Sequence, residues 1–234
     1  MQTIGLIGGM SWESTVSYYR LINEAVKREL GGFHSATLVL YSVDFAEIEA
    51  LQREGNWERA GELLATAARS LRAAGAEILV LCANTMHIVA PAIERAVDVP
   101  LLHIVDPTAR AAAARGCSVV GLLGTRYTME EPFYASRLET RHGIRALVPG
   151  ADERAAVHRI IFEELCMGIV RDDSRRVYRG VMASLVERGA EGIILGCTEI
   201  ALLVSQVDSS VPIFDTTRLH AEAAVEAALR PHRK

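Results

Sequence analysis

The sequence has little of what would place it in several large classes of protein. Aromatic residues make up 6% of its 234 residues, and 25 basic against 29 acidic side chains give a net charge of −4. Because the two signs are mixed along the chain, it offers no basic surface for nucleic acid or for an anionic membrane. No apolar run approaches the ~20 residues of a membrane-spanning helix. We therefore expect a protein whose partner is a small molecule.

The cysteines are also few, and their spacing pairs none of them. Cys82, Cys117, Cys166 and Cys197 form no CxxC motif and have no histidine at metal-ligand spacing. The apolar N-terminal run at residues 3–9 has no basic segment before it, unlike a secretory signal. A cytoplasmic protein with reduced thiols and no bound metal is the simplest expectation.

Runs rich in β-branched and aliphatic residues alternate with longer segments of helical periodicity. The predicted strands are residues 4–7, 37–42, 78–81, 101–104, 118–123, 193–195 and 211–214. The predicted helices are residues 14–30, 57–74, 107–115, 131–142, 152–170, 174–188 and 217–229. Alternation of this kind is typical of parallel sheets covered by helices, so we predict an α/β fold.

An internal repeat divides the chain. Residues 74–83 align without a gap on residues 188–197, which places Ala83 in register with Cys197. A Val-Pro dipeptide and two apolar residues follow each copy, and a glycine-containing strand end precedes each, at residues 5–9 and 121–125. Three matches in one order predict two similar α/β halves related by a pseudo-twofold axis. We assign residues 1–104 with 210–234 to the first half and residues 105–209 to the second.

The repeat predicts where a ligand would bind. In an open parallel sheet, ligands bind beyond the carboxyl ends of the strands, and small-molecule sites often lie in clefts between domains. Two halves facing each other would bring the segments around Ala83 and Cys197 to opposite sides of one cleft. We expect the active site there.

Two glycine-containing turns follow strands at equivalent places in the repeat. Gly8-Gly9-Met10-Ser11 opens a helix and offers backbone N–H groups to an anion, although its glycines could serve only a tight turn. The equivalent turn carries two hydroxyls, Thr125 and Thr128, that suit a carboxylate. Neither turn has the glycine spacing or the lysine of a nucleotide-binding loop, so nucleotide binding is disfavoured.

Cys197 is the residue with the clearest chemical potential. It ends a predicted strand, after Gly196 and before Thr198-Glu199, where a helix N-terminus could lower a thiol pKa. Its sulfur could then act as a nucleophile or a base, the alternative being an inert half-buried cysteine. Cys82 directly precedes Ala83 and should point to the opposite face of its strand. We therefore predict that Cys82 is a small buried hydrophobe.

Together these motifs resemble the aspartate/glutamate racemase superfamily over the full chain, with the best match to its aspartate or broad-specificity amino-acid racemase branch. The matching segments are Ile7-Gly8-Gly9-Met10-Ser11, Asn84-Thr85-Met86-His87, Gly124-Thr125-Arg126-Tyr127-Thr128 and Gly196-Cys197-Thr198-Glu199. The resemblance implies an isomerase that inverts Cα of an amino acid without pyridoxal phosphate or metal. In the family, one cysteine removes the α-proton and a second returns a proton to the opposite face.

The resemblance also assigns roles to residues of this chain, with Cys197 as the expected acid–base thiol. The residues expected to line the site and bind the substrate are Met10, Gln52, Ala83, Asn84, Thr85, Thr125, Thr128, Thr198 and Glu199. Their donors would hold the α-carboxylate and the charge that grows on it as the proton leaves. Aspartate-specific relatives hold the distal carboxylate with basic residues, and Cys166 stands where a lysine is expected. Gln52 or Arg53 could replace that contact, and a homodimer is compatible with the resemblance.

One position departs from the family pattern, because Ala83 stands where the first cysteine is expected. An alanine methyl cannot transfer a proton. Cys197 could work alone with a water serving the other face, which would give a slow or one-sided racemase, or Cys82 could swing into the site. Alternatively, the protein could resemble the one-thiol arylmalonate decarboxylases, or it could be a catalytically silent protein that binds small carboxylates.

Overall fold

The computed structural model describes residues 1–230, and the chain divides into two compact units. Unit 1 comprises Met1–Ile104 and the chain from His220 onward, and unit 2 comprises Val105–Leu219. Each unit contains one four-stranded parallel sheet with surrounding helices, which confirms the predicted α/β class.

The elements of both units follow one another in a strand–helix alternation. The strands are β1 Ile4–Gly8, β2 Leu38–Ser42, β3 Ile78–Leu81, β4 Leu101–Leu102, β5 Val119–Gly124, β6 Arg145–Leu147, β7 Ile193–Gly196 and β8 Ile213–Asp215. The α-helices are α1 Trp12–Leu30, α2 Phe45–Glu54, α3 Trp57–Ala73, α4 Ala90–Ala96, α5 Val105–Ala114, α6 Arg126–Glu130, α7 Pro132–His142, α8 Ala151–Glu163, α9 Asp172–Glu187, α10 Ile200–Leu203 and α11 Thr216–Leu229. Short 3₁₀ helices cover Thr85–Val89, Leu165–Met167 and Gln206–Asp208.

The sheet of unit 1 has the strand order β2-β1-β3-β4. Its central strands are continuous apolar runs because helices cover both faces. Successive residues of β3 alternate between these faces: Leu79 and Leu81 pack with residues of α2, α3 and α4, whereas Ile78 and Val80 pack with residues of α1 and α11. The core of unit 1 is therefore two apolar layers, one on each side of the sheet.

The sheet of unit 2 repeats this arrangement in the order β6-β5-β7-β8. Leu123 of β5 and Leu195 of β7 pack in one cluster with residues of α8, α9 and α10. Equivalent glutamates also accept a backbone N–H group at the start of the first strand in each unit. Glu77 Oε2 accepts the N–H of Thr3 at 2.8 Å, and Glu191 Oε2 accepts the N–H of Val119 at 3.0 Å. The sequence repeat is thus also a repeat of specific contacts.

Several details differ from the sequence predictions, which also lack helices α2 and α4. The chain returns to unit 1 at His220 and not at residue 210, because β8 pairs in parallel with β7 and so belongs to the second sheet. Strand β6 is absent from the predicted strands, since three residues at a sheet edge carry too little periodicity to be recognised. The predicted helix at residues 152–170 is broken at Glu164, whose φ of −123° is not helical, and a 3₁₀ turn follows.

None of the helices among residues 1–230 combines the length and the apolar character that crossing a membrane requires.

Candidate active site

In unit 2, the ends of two central strands bring predicted site residues together. β5 and β7 are neighbours, and Gly124 pairs with Gly196 at the carboxyl end of the sheet. Thr128 packs against both glycines, because a Cβ built on Gly124 would lie 3.0 Å, and one built on Gly196 3.1 Å, from its Cγ2. The Thr125 and Thr128 hydroxyl oxygens are 3.4 Å apart. Both hydroxyls therefore lie beside the segment that begins at Cys197.

Cys197 is the first residue after β7, and its thiol meets a carboxylate. The residue is 8% exposed, and its Sγ donates to Glu199 Oε2 at 2.9 Å. Thr198 Oγ1 donates to the same oxygen at 2.6 Å. Glu199 is also buried. A carboxylate oxygen held between two donors is fixed in its orientation, so a proton can pass between the Cys197 sulfur and Glu199 without a conformational change.

The direction of the Cys197 pKa is contrary to the expectation of a lowered value. Burial raises the pKa of the thiol well above its usual range, and the negative charge of Glu199 raises that pKa further. The helix that follows, α10, has only four residues and contributes little dipole to oppose these effects. The protonated thiol is therefore the resting form of Cys197.

A buried polar group near Cys197 has no counterpart in the sequence predictions. Burial raises the pKa of Tyr178 on α9 well above its usual range, and unfavourable electrostatic interactions with Cys197, Cys166 and Glu164 raise that pKa further. Glu164, which lies within the predicted helix at residues 152–170, is buried, and its Oε2 accepts from Ser174 Oγ at 2.6 Å. It turns inward because α8 ends one residue earlier. The available signal was the four-residue spacing of Ser174 and Tyr178, which puts both on one helix face.

Unit 1 gathers a second set of predicted residues. Met10 and Ala83 belong to the same apolar cluster as Met86. Gln52 on α2 is buried, and its Nε2 donates to Met86 Sδ at 3.0 Å. Arg53, the alternative to Gln52, is mostly exposed and forms an ion pair along the surface of α2. Of these two, Gln52 is therefore the residue that lies with Met10 and Ala83.

Asn84 and Thr85 are buried in the turn that follows Ala83. His87 holds this turn through both ring nitrogens: Nδ1 lies 2.8 Å from the Ala83 carbonyl oxygen, and Nε2 accepts the N–H of Ile104 at 3.2 Å. Because a carbonyl only accepts and an amide N–H only donates, His87 is neutral with its proton on Nδ1. Its role is to position the backbone at Ala83.

A second histidine completes this buried cluster in unit 1. His220 Nε2 donates to the Leu102 carbonyl at 2.8 Å, so its Nδ1 accepts from the Tyr18 hydroxyl at 2.9 Å. His103 lies beside His87, with ring centroids 4.5 Å apart. Burial lowers the pKa of His87 well below its usual range, and the neighbouring imidazoles His103 and His220 lower that pKa further. The cluster therefore holds the two stretches of chain where it leaves and re-enters unit 1.

The turn at Gly8-Gly9 is used for packing. The N–H of Gly9 donates to Thr15 Oγ1 at 2.8 Å, and its φ is +92°. A Cβ built on Gly9 would lie 2.2 Å from the Val43 carbonyl oxygen. Both the positive φ and this close approach require glycine, so a tight turn is sufficient to explain Gly9.

The remaining cysteines differ in their surroundings, and Cys166 packs against the same apolar cluster as Cys197. Cys82 packs in the cluster of α1 and α11, on the opposite side of the sheet from Ala83, and burial raises the pKa of its thiol well above the usual range. It is a small buried hydrophobe, and a swing toward Ala83 has no support. Cys117 lies at the start of β5 with its Sγ 3.5 Å from the Glu191 carbonyl oxygen. Within residues 1–230, no group of three or more His, Cys, Asp or Glu side chains is arranged to hold a metal ion.

Comparison with known proteins gives one consistent set of relatives. The sequence profile of the family described as Asp/Glu/Hydantoin racemase matches residues 7–224. A crystal structure of a Yersinia pestis protein described as a candidate Asp/Glu racemase is 57% identical, covers 98% of this chain and all of its own, and superposes with a TM-score of 0.92. An aspartate racemase homologue from Pyrococcus horikoshii is 37% identical with the same coverage and a TM-score of 0.83. The broad-specificity amino-acid racemase of Bacillus subtilis is 22% identical over 97% of this chain and 98% of its own.

Proposed function

This chain belongs to the Asp/Glu/Hydantoin racemase family, and from that premise we propose that it is a racemase of aspartate, glutamate or a similar amino acid. We assign the acid–base step to Cys197. The observation that carries this assignment is the 2.9 Å hydrogen bond from its Sγ to Glu199 Oε2. A thiol with a carboxylate at that distance has both a proton to give and a group that can take it away.

The proposed reaction moves protons in two steps. Glu199 takes the S–H proton of Cys197, and the resulting thiolate takes the proton from Cα of the amino acid. The bonding pair of the C–H bond remains on the substrate as a planar carbanion conjugated with its carboxylate. Water delivers a proton to the opposite face, which gives the other enantiomer, and the hydroxide left behind takes the proton that Glu199 accepted. In the reverse direction Cys197, which rests as a thiol, donates its proton to Cα.

The hydroxyl groups near Cys197 have complementary tasks in this proposal. Thr198 donates to Glu199 and keeps its carboxylate aimed at the sulfur. Thr125 and Thr128 supply donors for the substrate α-carboxylate, which gains charge as the proton leaves. In unit 1, the same task falls to Asn84 and Thr85.

Substrate selection is assigned to unit 1. Gln52 is buried with Met10 and Ala83, and its side-chain amide is a neutral donor for a distal carboxylate or amide of the substrate. A neutral amide holds a carboxylate less strongly than an arginine fork does. We therefore propose that the enzyme binds acidic amino acids without excluding neutral polar ones.

The alanine at position 83 shapes the proposed activity. Its methyl group transfers no proton, so return to the second face relies on water. We propose a racemase whose hydrogen exchange at Cα is faster than its inversion. A second candidate follows from two features, the Cys197 thiol that donates to Glu199 and the absence of a thiol at position 83. It is the decarboxylation of a substituted malonate, in which carbon dioxide leaves and Cys197 protonates the carbanion from one face.

The test is hydrogen–deuterium exchange at Cα in heavy water, with each enantiomer of aspartate and glutamate, followed by NMR and by chiral chromatography. We expect exchange in the unmodified protein, its loss in Cys197→Ala, and no change in the control Cys117→Ala, which removes a thiol at the start of β5. Ala83→Cys should raise the rate of inversion by about 10²–10⁴, the usual contribution of a positioned acid–base group.

Three outcomes would redirect the assignment. Exchange that survives in Cys197→Ala would exclude this thiol as the acid–base group. No exchange with any of the four substrates, together with carbon dioxide release from a substituted malonate, would establish the decarboxylase. Binding of these acids without either reaction would indicate a silent carboxylate-binding protein.

A further inference from the structure

The turn that carries Thr125 and Thr128 is fastened by a histidine from another helix of unit 2. His158 on α8 accepts the backbone N–H of Arg126 at its Nδ1 atom, and the two nitrogens are 3.2 Å apart. Arg126 is the first residue of α6, and the first N–H groups of a helix have no acceptor within the helix itself. The imidazole therefore supplies a hydrogen-bond partner that the turn lacks.

The same turn positions the two hydroxyls assigned to the substrate carboxylate. Thr125 Oγ1 accepts the N–H of Thr128 at 3.3 Å, which is the usual contact of a helix N-cap. Helix α6 has only five residues, and a helix of that length depends on contacts with its neighbours for its stability. The bond from Arg126 to His158 is such a contact, and it holds the backbone from which both hydroxyls project.

The His158 ring is itself held in one orientation. Its centroid lies 4.7 Å from that of Phe162, one turn along α8, and 6.1 Å from that of Tyr127, whose ring meets it at 88°. The residue is half-buried. Because these neighbours restrict rotation of the imidazole, its Nδ1 atom remains directed at the turn.

This hydrogen bond fixes the protonation state of His158. A backbone N–H only donates, so Nδ1 carries a lone pair and the neutral ring has its proton on Nε2. An imidazolium carries a hydrogen on both nitrogens and cannot accept. Protonation of His158 therefore breaks its bond to Arg126 and leaves two N–H groups facing each other.

The charged groups beside His158 come from α6. Partial burial lowers the pKa of His158, the positive charge of Arg126 lowers it further, and Glu130 opposes them without reversing the direction. Arg154, on the same helix as His158, pairs with Glu130 at 2.9 Å and offsets part of its charge. The neutral ring is therefore the resting form at neutral pH.

The other elements that pack against α8 add no charge at the ring. Strand β5 has no titratable side chain. From α9, the Tyr178 hydroxyl reaches the Val157 carbonyl at 3.4 Å, and burial raises the pKa of Tyr178, so it stays uncharged. On the 3₁₀ turn that follows α8, Cys166 has its electrostatic contacts with Tyr178 and Cys197.

We propose that His158 is a positioning residue for the carboxylate-binding turn of unit 2 and makes substrate binding depend on pH. The neutral ring holds the Arg126 backbone, and with it Thr125 and Thr128. When His158 takes up a proton, the turn loses this contact and binds a carboxylate more weakly. The inference rests on the proposed function, since it takes the two hydroxyls as substrate ligands.

The test is the pH dependence of KM and kcat for Cα exchange of aspartate, between about pH 5 and 8, the range in which histidine titrates. In the native protein KM should rise as the pH falls below about 6.5. His158→Asn offers an oxygen separated from Cα by as many bonds as Nδ1. It accepts the Arg126 N–H without titrating, so it should keep the neutral-pH KM and lose the rise.

A second variant removes the acceptor and keeps an aromatic ring. His158→Phe should raise KM about three- to tenfold at every pH, the equivalent of one net hydrogen bond, with a smaller change in kcat. The control His34→Asn replaces an exposed histidine of unit 1 and should follow the native profile. Effects of Cys197 and His87 on the pH profile are common to all these proteins, so the difference between profiles isolates His158. Thermal unfolding at neutral pH checks that each variant is folded.

A rise in KM at low pH that is equal in the native protein and in His158→Asn would overturn the inference. So would a KM that falls at low pH, because the imidazolium would then attract the carboxylate instead of releasing the turn. An unchanged KM in His158→Phe would also exclude the positioning role.

A native protein without exchange at any pH would contradict the proposed function, and NMR would then decide the role of His158 separately. We expect a scalar coupling across the hydrogen bond between the Arg126 amide nitrogen and His158 Nδ1 at neutral pH. Acidification should remove this coupling and speed the exchange of the Thr128 amide hydrogen. A missing coupling, or a Thr128 exchange rate that does not follow the charge of His158, would overturn the inference.

Discussion

Replacing Glu199 by glutamine removes a negative charge beside Cys197 and nearly preserves the size of the side chain. In the native protein the Cys197 thiol donates to Glu199 Oε2 at 2.9 Å, and the Glu199 charge is the second cause, after burial, of the raised thiol pKa. Glutamine ends this repulsion of the thiolate. Its amide group also offers an N–H donor to the thiolate, so Glu199→Gln should lower the pKa of Cys197.

The magnitude follows from the hydrogen bond that is lost. A hydrogen bond to a charged group contributes about 1.5–3 kcal/mol, and here it stabilises the thiol over the thiolate. Each 1.36 kcal/mol or so is tenfold in an ionisation equilibrium. At a fixed pH below the thiol midpoint, the thiolate fraction of Cys197 should therefore rise roughly ten- to a hundredfold. Burial persists in the variant, so its thiol remains harder to ionise than an exposed one.

The assay is alkylation of Cys197 by iodoacetamide as a function of pH, with the labelled peptide identified by mass spectrometry. Site-resolved labelling separates Cys197 from Cys166, which is partly exposed. Glu163→Gln is the matched control, because Glu163 carries the same carboxylate on the exposed surface of α8. In that control, the pH profile of Cys197 alkylation should not move.

The reasoning would be refuted by a Glu199→Gln profile that coincides with the native profile or moves to higher pH. Either result would mean that Glu199 does not face the Cys197 thiol as a charged acceptor. The proposed transfer of the S–H proton to Glu199 would then lose its basis.

Two further predictions concern stability. His87 is neutral in the folded protein, where its pKa is lowered. The unfolded chain therefore binds more protons than the folded protein below about pH 6.5. The free energy of unfolding should fall as the pH drops below that value, by up to ~1.4 kcal/mol per pH unit for this group. Urea unfolding of the native protein and of His87→Gln at neutral and mildly acidic pH checks this, and an equal loss in both would contradict it. Gly196→Ala should lower the free energy of unfolding by about 1–3 kcal/mol and reduce Cα exchange, since its Cβ would lie 2.8 Å from the Leu123 carbonyl oxygen. The control is Gly180→Ala in the middle of α9, where a Cβ would meet nothing within 4 Å. This variant should leave the free energy of unfolding unchanged or raise it. If Gly180→Ala lowers it as much as Gly196→Ala does, overpacking is not the cause.

Much of the fold is readable from local patterns, and the missed parts have specific causes. Apolar runs predict the buried parallel strands, and the repeat of residues 74–83 at 188–197 predicts two similar units. Strand β6 is not predicted, because Arg-Ala-Leu has no periodicity of its own and is a strand only by pairing with β5. The sequence predicts the return of the chain to unit 1 at residue 210, ten residues before His220, because the pairing of β8 with β7 is a long-range contact that local patterns do not show.

The candidate site also contains residues that local patterns predict and residues that they miss. Cys197, Thr198 and Glu199 are identified from the sequence because they are consecutive and follow a strand end. Tyr178, which is near Cys197, and Glu164, which is near Tyr178, are missed, since these proximities depend on how α8 ends and on which face of α9 is buried.

Residue type and spacing along the chain are sufficient to predict the α/β class, the repeat, the strand-end position of Cys197 and the absence of a thiol at position 83. Only the tertiary structure shows that Glu199 accepts a hydrogen bond from Cys197, that Cys82 points away from Ala83's side of the sheet, and that His87 is neutral. Protonation and hydrogen bonding depend on burial and on distances of a few ångströms. Folding sets those quantities between residues that the chain holds far apart.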